Sequence, residues 1–320
     1  MQLALHPTTT RLGVLDVGSN TVHLLVVDAR PGGHPDPVRS HKTELHLAEL
    51  LQPDGTLGLR GRQALVRAVA GAAEAAEEER VEDLVAFATS AVRDAPDGAD
   101  AIEQVREQTG IELAVMTGPD EAAMTFFAVR RWLGWSAGRL ITLDIGGGSL
   151  ELAVGRDELP ELALSVPLGA GRLTRDHLPG DPPRPAAVAA LRELVRTTLE
   201  PVVPQVREAG SPDRAIVTSK TFRSLARLDG AAPSGAGQRV KRSLTQRGLA
   251  RILDDLSGLT IAQRAELPGV SLGRAPQLLA GAVVALETLT ALGLDRVELC
   301  PWALREGVVL RRLDWLTDGR

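Results

Sequence analysis

Along this chain, short apolar runs with the period of a strand alternate with longer stretches whose apolar positions recur at helical spacing. Arg11–Val17 and Thr21–Asp28 are two β-rich runs on either side of Gly18, Ser19 and Asn20, whose turn chemistry predicts a hairpin. Pro- and Gly-rich sequence from Pro31 to Gly58 reads as loop. Ala64/Leu65, Ala68/Val69, Ala72 and Ala75/Ala76 then form one stripe of an amphipathic helix that ends near Glu77–Arg80. Leu84–Thr89 is a buried-type strand, Ile102–Gln108 a helical segment closed by Gly110, and Ile111–Thr117 a further strand. The alternation predicts an α/β fold.

The second half repeats the plan. Leu140–Asp144 and Leu150–Val154 flank the glycines at 146–148, and a strand at Glu161–Val166 follows. After a Pro-rich linker at Leu178–Pro185 come a helix at Pro185–Leu199, a strand at Ala215–Thr218 and a helix from about Ser219. Pro276 opens a mostly apolar helix that stops at Gly293, Arg296–Cys300 is a strand, and a last helix runs from about Trp302 to Leu313. At 320 residues one core nears its practical limit, so two domains sharing a cleft are expected, 1–130 and 131–320, with the last helix free to pack back on the first.

Laid over one another, Leu15–Leu24 and Leu143–Leu152 share Leu, Asp, Gly, a hydroxyl residue and a closing Leu at equal spacing. That internal match reads as a duplicated hairpin-led unit. A tight glycine turn brings backbone N–H groups close to an anion. Ser19, Asn20 and Thr21 in one copy, and Ser149 in the other, add side-chain donors around Gly18 and around Gly146, Gly147 and Gly148. Asp16 and Asp144 stand at strand ends, where a carboxylate can hold a divalent metal or simply bond the turn. Residues two apart on a strand face one side, so Ser149 pairs with Glu151 as Thr21 pairs with His23. The second hairpin thus carries an extra carboxylate where the first carries His23, read as a packed histidine. Chemistry is therefore expected at the second hairpin and phosphate binding at the first.

Two strand-to-helix junctions add anion sites: Thr89 and Ser90 with Arg93 one turn on, and Thr218–Thr221 with Lys220 and Arg223. Either junction is also an ordinary helix cap. Gly118-Pro119-Asp120-Glu121 opens another helix, and by pattern alone Glu121 is a capping carboxylate. Neither hairpin is a Walker loop or a dinucleotide fingerprint, because Gly-Lys-Ser/Thr and the G-x-G-x-x-G spacing are both missing. His34, His41 and His46 have no ligand spacing.

Composition narrows the partners. Aromatic content is 2% with no tyrosine, so the core must be aliphatic and no platform for stacking bases is expected. With 36 basic against 41 acidic residues the net charge is −5, and no global positive field draws nucleic acid or membrane. A polyanionic ligand would need a local cluster of Arg, Lys and backbone N–H groups. The single cysteine, Cys300, fits a reducing cytoplasm, Met1–Thr10 lacks the pattern of a signal peptide, and no apolar stretch approaches a membrane span.

Taken together, Leu15–Leu24, Ala88–Asp94, Thr117–Ala122, Leu143–Leu152, Thr218–Leu228 and Leu299–Leu310 resemble, in order, the exopolyphosphatase/guanosine-pentaphosphate phosphohydrolase family, in its short actinobacterial two-domain form. The resemblance implies two ribonuclease H-like domains of the actin, sugar kinase and heat-shock ATPase fold, flanking an active-site cleft. It also implies hydrolysis of the terminal phosphoanhydride of inorganic polyphosphate with Mg²⁺ or Mn²⁺, and a homodimer. Under it Glu121 matches the general base, and Asp144 and Glu151 match the metal- and water-positioning carboxylates. Asp16, Gly18, Ser19, Asn20, Thr89, Ser90, Arg93, Gly146, Gly147, Gly148 and Ser149 match the phosphate loops. The motif departs at Asp120, where Glu is usual. Guanosine pentaphosphate is the alternative substrate within the family, and an ATP-dependent sugar kinase or actin-like ATPase and a non-catalytic phosphate sensor are the alternatives outside it.

Overall fold

The structure, a computed structural model, describes residues 9–30, 33–52 and 54–317. Most of the amino-terminal segment read for a signal peptide, and part of the loop from Pro31, lie outside the described residues. The chain divides into two compact units, residues up to 117 joined by 304–320, and residues 118–303.

In the first unit β1 (Thr10–Val17) and β2 (Thr21–Ala29) form the expected hairpin, with Asp16 directly opposite His23. β3 (Arg39–Glu44) and the short α1 (Leu47–Leu50) lie inside the stretch expected to be loop. β3 is an edge strand, almost wholly exposed, so its residues carry no apolar alternation to read. Then come α2 (Gly58–Glu78), β4 (Asp83–Ala88), the single turn α3 (Ser90–Arg93), α4 (Gly98–Thr109) and β5 (Ala114–Val115). Only that two-residue bridge forms where a strand over Ile111–Thr117 was expected.

The second unit opens with α5 (Gly118–Leu133), which packs on the sheet formed by β6 (Leu140–Ile145), β7 (Leu150–Gly155) and β8 (Leu162–Val166). The sequence division at 130/131 cuts through α5; the compact units divide before it, because its apolar face is buried on these three strands. α6 (Ala170–His177), α7 (Pro185–Leu199) and α8 (Val202–Glu208) lead to β9 (Arg214–Val217) and α9 (Ser219–Leu228). β10 (Ser243–Thr245), α10 (Gln246–Ser257), α11 (Ile261–Ala265), α12 (Leu278–Leu292) and β11 (Arg296–Leu299) complete it. α13 (Leu304–Thr317) belongs to the first unit, where it packs on β1 and β2.

Both sheets follow one plan. The first runs β3-β2-β1-β4-β5, and the second β8-β7-β6-β9-β11 with β10 added at its edge. In each, the first three strands are antiparallel and the next two join parallel to the central one. That strand order and sense is the ribonuclease H-like plan, present twice. The cores are aliphatic, as the composition required: Leu15, Val26, Leu65 and Val69 in one, Ile141, Leu152, Val217 and Leu279 in the other. α12 is buried on nearly every face, which its apolar sequence anticipates.

Candidate active site

The two glycine turns close identically. Gly18 N–H donates to Thr21 O at 3.0 Å and Gly146 N–H to Ser149 O at 2.9 Å. Each hairpin therefore delivers its aspartate, its turn amides and its hydroxyl to the carboxyl ends of the central parallel strands, the end at which α/β sheets bind ligands.

In the first unit, Ser19 and Ser90 are buried with their hydroxyls 3.2 Å apart, so the hairpin turn and the β4–α3 junction form one polar cluster. Thr89 caps α3 in extended conformation, with its N–H on Val17 O. Asn20, also buried, accepts through its backbone oxygen from Leu45 and His46. Arg93 donates to Asp94 and to Met116 O. His23 shares a 2.6 Å hydrogen bond with Ser40 on β3, in keeping with a structural histidine. Asp16 accepts from Arg305 Nη1 at 2.9 Å. Burial raises the Asp16 carboxyl above its ordinary range, and the Arg305 charge pulls the other way.

In the second unit, Asp144 lies directly opposite Glu151 in the β6–β7 pair. Directly opposed residues of an antiparallel pair project to one face with Cβ atoms about 5 Å apart. The two carboxylates therefore project to the same face of the sheet. Glu151 is only 3% exposed, and its Oε1 accepts from Ser165 Oγ at 2.9 Å, from the facing position on β8. The Asp144 Oδ2 accepts from the Thr218 hydroxyl at the β9–α9 junction. Leaving a buried acceptor unsatisfied costs roughly 1–3 kcal/mol, so the donor matters most at Glu151; Asp144 is half-buried. A Cβ added to Gly146 would lie 3.8 Å from Glu151 Oε2, which puts the turn backbone at the carboxylate.

The turn is buttressed from a segment the sequence reading passed over. The N–H groups of Ala170 and Arg172 bond Gly146 O and Gly147 O, at 3.0 and 2.9 Å. Gly169 touches the turn so closely that a Cβ there would fall 2.1 Å from Gly148 C. Thr221 donates to Ile145 O from the facing side. Ser219, between Thr218 and Lys220, has φ 65°, a left-handed backbone that a residue with a Cβ rarely adopts outside functional turns. Lys220 is exposed on the first turn of α9, and Arg223 is half-buried with Nη2 on Pro301 O. Arg274, also missed, feels the charge of Asp144, which opposes the lowering of its pKa by burial.

Glu121 stands half-buried in the first turn of α5, and Asp120 beside it is exposed. The helix begins at Gly118, one residue earlier than a Gly118 cap requires, so Asp120 rather than Glu121 takes the third helical position, where a capping carboxylate belongs. Among the described residues no group of three His, Cys, Asp or Glu side chains is arranged to hold a metal ion. Magnesium keeps several waters and is commonly bound by one or two carboxylates together with substrate phosphates. The Asp144–Glu151 pair fits that mode.

Two ribonuclease H-like units, each with an Asp-bearing glycine hairpin at its sheet end, define a protein of the actin-like, two-domain phosphate-handling class. Residues 25–315 match the model of the Ppx/GppA phosphatase family, and the chain belongs to that family. It is 57% identical over 309 residues to Exopolyphosphatase 1 of Mycobacterium tuberculosis strain H37Rv, covering 97% of this chain and 90% of that protein. Identity to Exopolyphosphatase 1 of Mycobacterium leprae is 55%, over 97% and 91%. In fold it matches the crystal structure of an exopolyphosphatase from Cytophaga hutchinsonii, with a TM-score of 0.84 over 95% of this chain and 98% of that one, at 23% identity.

Proposed function

We propose that this protein is an exopolyphosphatase, which removes the terminal phosphate of inorganic polyphosphate as orthophosphate. The observation that carries the reading is the opposed Asp144–Glu151 pair behind a glycine turn, Glu151 buried and held by Ser165, Asp144 half-buried and held by Thr218. Its high identity over nearly the whole length to proteins named exopolyphosphatase supports polyphosphate over guanosine pentaphosphate. The scarcity of aromatic residues that would stack a base supports the same choice.

The backbone N–H groups of Gly146–Ser149 and the side chains of Lys220, Arg223 and Arg274 bind and neutralise the terminal phosphates. Asp144 and Glu151 would hold Mg²⁺ or Mn²⁺, which when bound would supply further charge neutralisation on the phosphoryl oxygens. Asp16, already matched by Arg305, serves with Gly18, Ser19, Asn20, Thr21, Thr89, Ser90 and Arg93 as a phosphate-binding cluster rather than as a metal ligand. Glu121 orients a water and takes its proton as the water oxygen attacks the terminal phosphorus. The bond to the bridging oxygen breaks, and the shortened chain departs with that oxygen. We place the enzyme in the cytoplasm and expect it to act as a homodimer.

The test is phosphate release in the presence of Mg²⁺ from tripolyphosphate, long polyphosphate, guanosine pentaphosphate and ATP in parallel, for the native enzyme and for Glu121→Gln. Polyphosphate should be the preferred substrate, and the variant should keep its fold while turnover drops by at least about 10²-fold. Release from none of the four, or near-native turnover in the variant, would overturn the assignment of the reaction or of the base respectively.

A further inference from the structure

A cavity of about 280 Å³ opens on the second unit beside α9, lined by Arg223, Arg227, Arg242, the 232–238 segment and Leu299–Pro301. No Asp or Glu lines it. The three guanidinium groups instead donate to backbone carbonyls: Arg223 to Pro301, Arg227 to Ala231, and Arg242 to Ala232, Pro233, Gly237 and Val240. Several other arginines are matched by carboxylates instead, although Arg130 and Arg264 also donate to backbone carbonyls. Arg192 and Arg196 share Glu287, Arg214 takes Glu298, Arg139 takes Glu161, and Arg312 takes Asp83. In a chain whose acids outnumber its bases, 41 to 36, three arginines brought together with no carboxylate are poised for a ligand that brings the negative charge.

The pocket is also shaped for them. Gly269, at φ 82°, lies against the Arg227 stem, and a Cβ there would fall 2.7 Å from Arg227 Cγ. Ser224 Oγ pins that glycine by donating to its carbonyl at 2.8 Å. Lys220, Arg223 and Arg227 stand at i, i+3 and i+7 on α9, one stripe of the helix about 10 Å long. Two residues before the stripe, at the helix N-cap, Thr218 holds Asp144 through its hydroxyl. A multiply charged, extended ligand with its end at the Asp144 hairpin would run along that stripe into the cavity.

We infer that this arginine cavity binds the internal phosphates of a polyphosphate chain whose terminal phosphate lies at the Asp144 hairpin, and so sets the enzyme's preference for chain length. The inference rests on the proposed function. The phosphoanhydride chemistry that Arg227 recognises is shared with nucleoside polyphosphates, so the assay separates the two sources.

The experiment measures KM and kcat of the native enzyme, Arg227→Ala and Arg227→Glu on tripolyphosphate, long-chain polyphosphate and guanosine pentaphosphate. Removing one charged donor from a phosphate contact costs on the order of tenfold in affinity. KM for long polyphosphate should therefore rise about tenfold in Arg227→Ala and further in Arg227→Glu, with kcat little changed. Values on tripolyphosphate should stay within about twofold, because a chain that short does not reach Arg227. Isothermal titration of long polyphosphate onto metal-free native protein and Arg227→Glu gives a second readout that needs no turnover. Weaker binding by the variant upholds the site even if no phosphate is released, an outcome that would sink only the proposed reaction. Equal binding and equal KM for long chains in natively folded variants would overturn the inference. So would an equal loss on short and long chains, or a loss confined to guanosine pentaphosphate.

Discussion

Glu151 is the buried carboxylate of the candidate site. Its neighbours on β7 are apolar and buried, and it is as buried as they are, yet it carries a carboxylate. Ser165 on the next strand holds one oxygen, and the opposed Asp144 projects to the same face. Ser165 should therefore act through Glu151 as a positioning residue. Outer partners of ligating or water-orienting carboxylates are typically worth about 10–100-fold in activity or metal affinity. In Ser165→Ala we expect a fall in kcat of roughly tenfold together with a weaker apparent affinity for Mg²⁺. Thermal unfolding of the variant should show the native fold with stability lowered by roughly 1–3 kcal/mol, the cost of leaving a buried acceptor unsatisfied. Unchanged kcat and unchanged Mg²⁺ dependence would reduce Ser165 to an ordinary strand residue.

Among elements, the hairpin between β6 and β7 is fixed by its neighbours rather than by its own turn residues. Two N–H groups at the start of α6 bond its carbonyls, and Gly169 meets the backbone of Gly148 and Ser149 with no room for a Cβ. Gly169 is extended, with φ −74°, so a side chain there strains nothing in its own backbone. The cost of adding one is entirely the displaced turn. Gly169→Ala should thus be more damaging to catalysis than to the fold, with kcat down by at least about 10²-fold from a displacement near 1 Å. Overpacking of this kind typically destabilises by about 1–3 kcal/mol. A kinetic assay beside a denaturation curve separates the two effects, and a variant with native kcat would show that the turn adapts. The hairpins also differ where their topology matches. Thr218 N–H bonds Leu143 O, before the hairpin aspartate, whereas Thr89 N–H bonds Val17 O, after it. The shift gives Asp144 a hydroxyl partner, while Asp16 is met by the guanidinium of Arg305.

For the molecule as a whole, the first unit is discontinuous in sequence. α13 returns to it with Val308, Val309, Leu310 and Leu313 buried, and with Arg305 and Arg312 on Asp16 and Asp83. Each such apolar side chain contributes about 1.5–3 kcal/mol when fully buried. A chain ended at residue 303 should lose several kcal/mol of stability in the first unit, leaving Asp16 buried without its counter-charge. Calorimetry is the check. The truncated chain should show an early transition or aggregate on heating, and one cooperative transition at the native temperature would mean that α13 is dispensable.

The paired hairpins could be read directly from the residues, because a glycine turn between β-rich runs is a local signal and its repetition doubled it. The same locality exposed Lys220 and Arg223 at the start of α9, the apolar α12 and the α7 boundaries. β3 escaped because this edge strand carries polar side chains on both faces, β10 because three residues are too few to show a period, and α6 because its apolar positions are few; α10, with Leu249, Ile252, Leu253 and Leu256 buried at helical spacing, carried a legible pattern. Within the site, the pairing of Asp144 with Glu151 follows from the turn length alone. Its holders do not. Thr218 is 74 residues from Asp144, Arg305 is 289 from Asp16, and Arg227 meets Arg242 only across a folded cavity. Sequence by itself determined where most strands, the glycine turns and the charged side chains would be, since those depend on neighbours a few residues away. Tertiary structure decided which carboxylate met a hydroxyl, which met a guanidinium, and which arginines gathered at one cavity. Those choices depend on burial and on sheet register, and no short stretch of chain contains either.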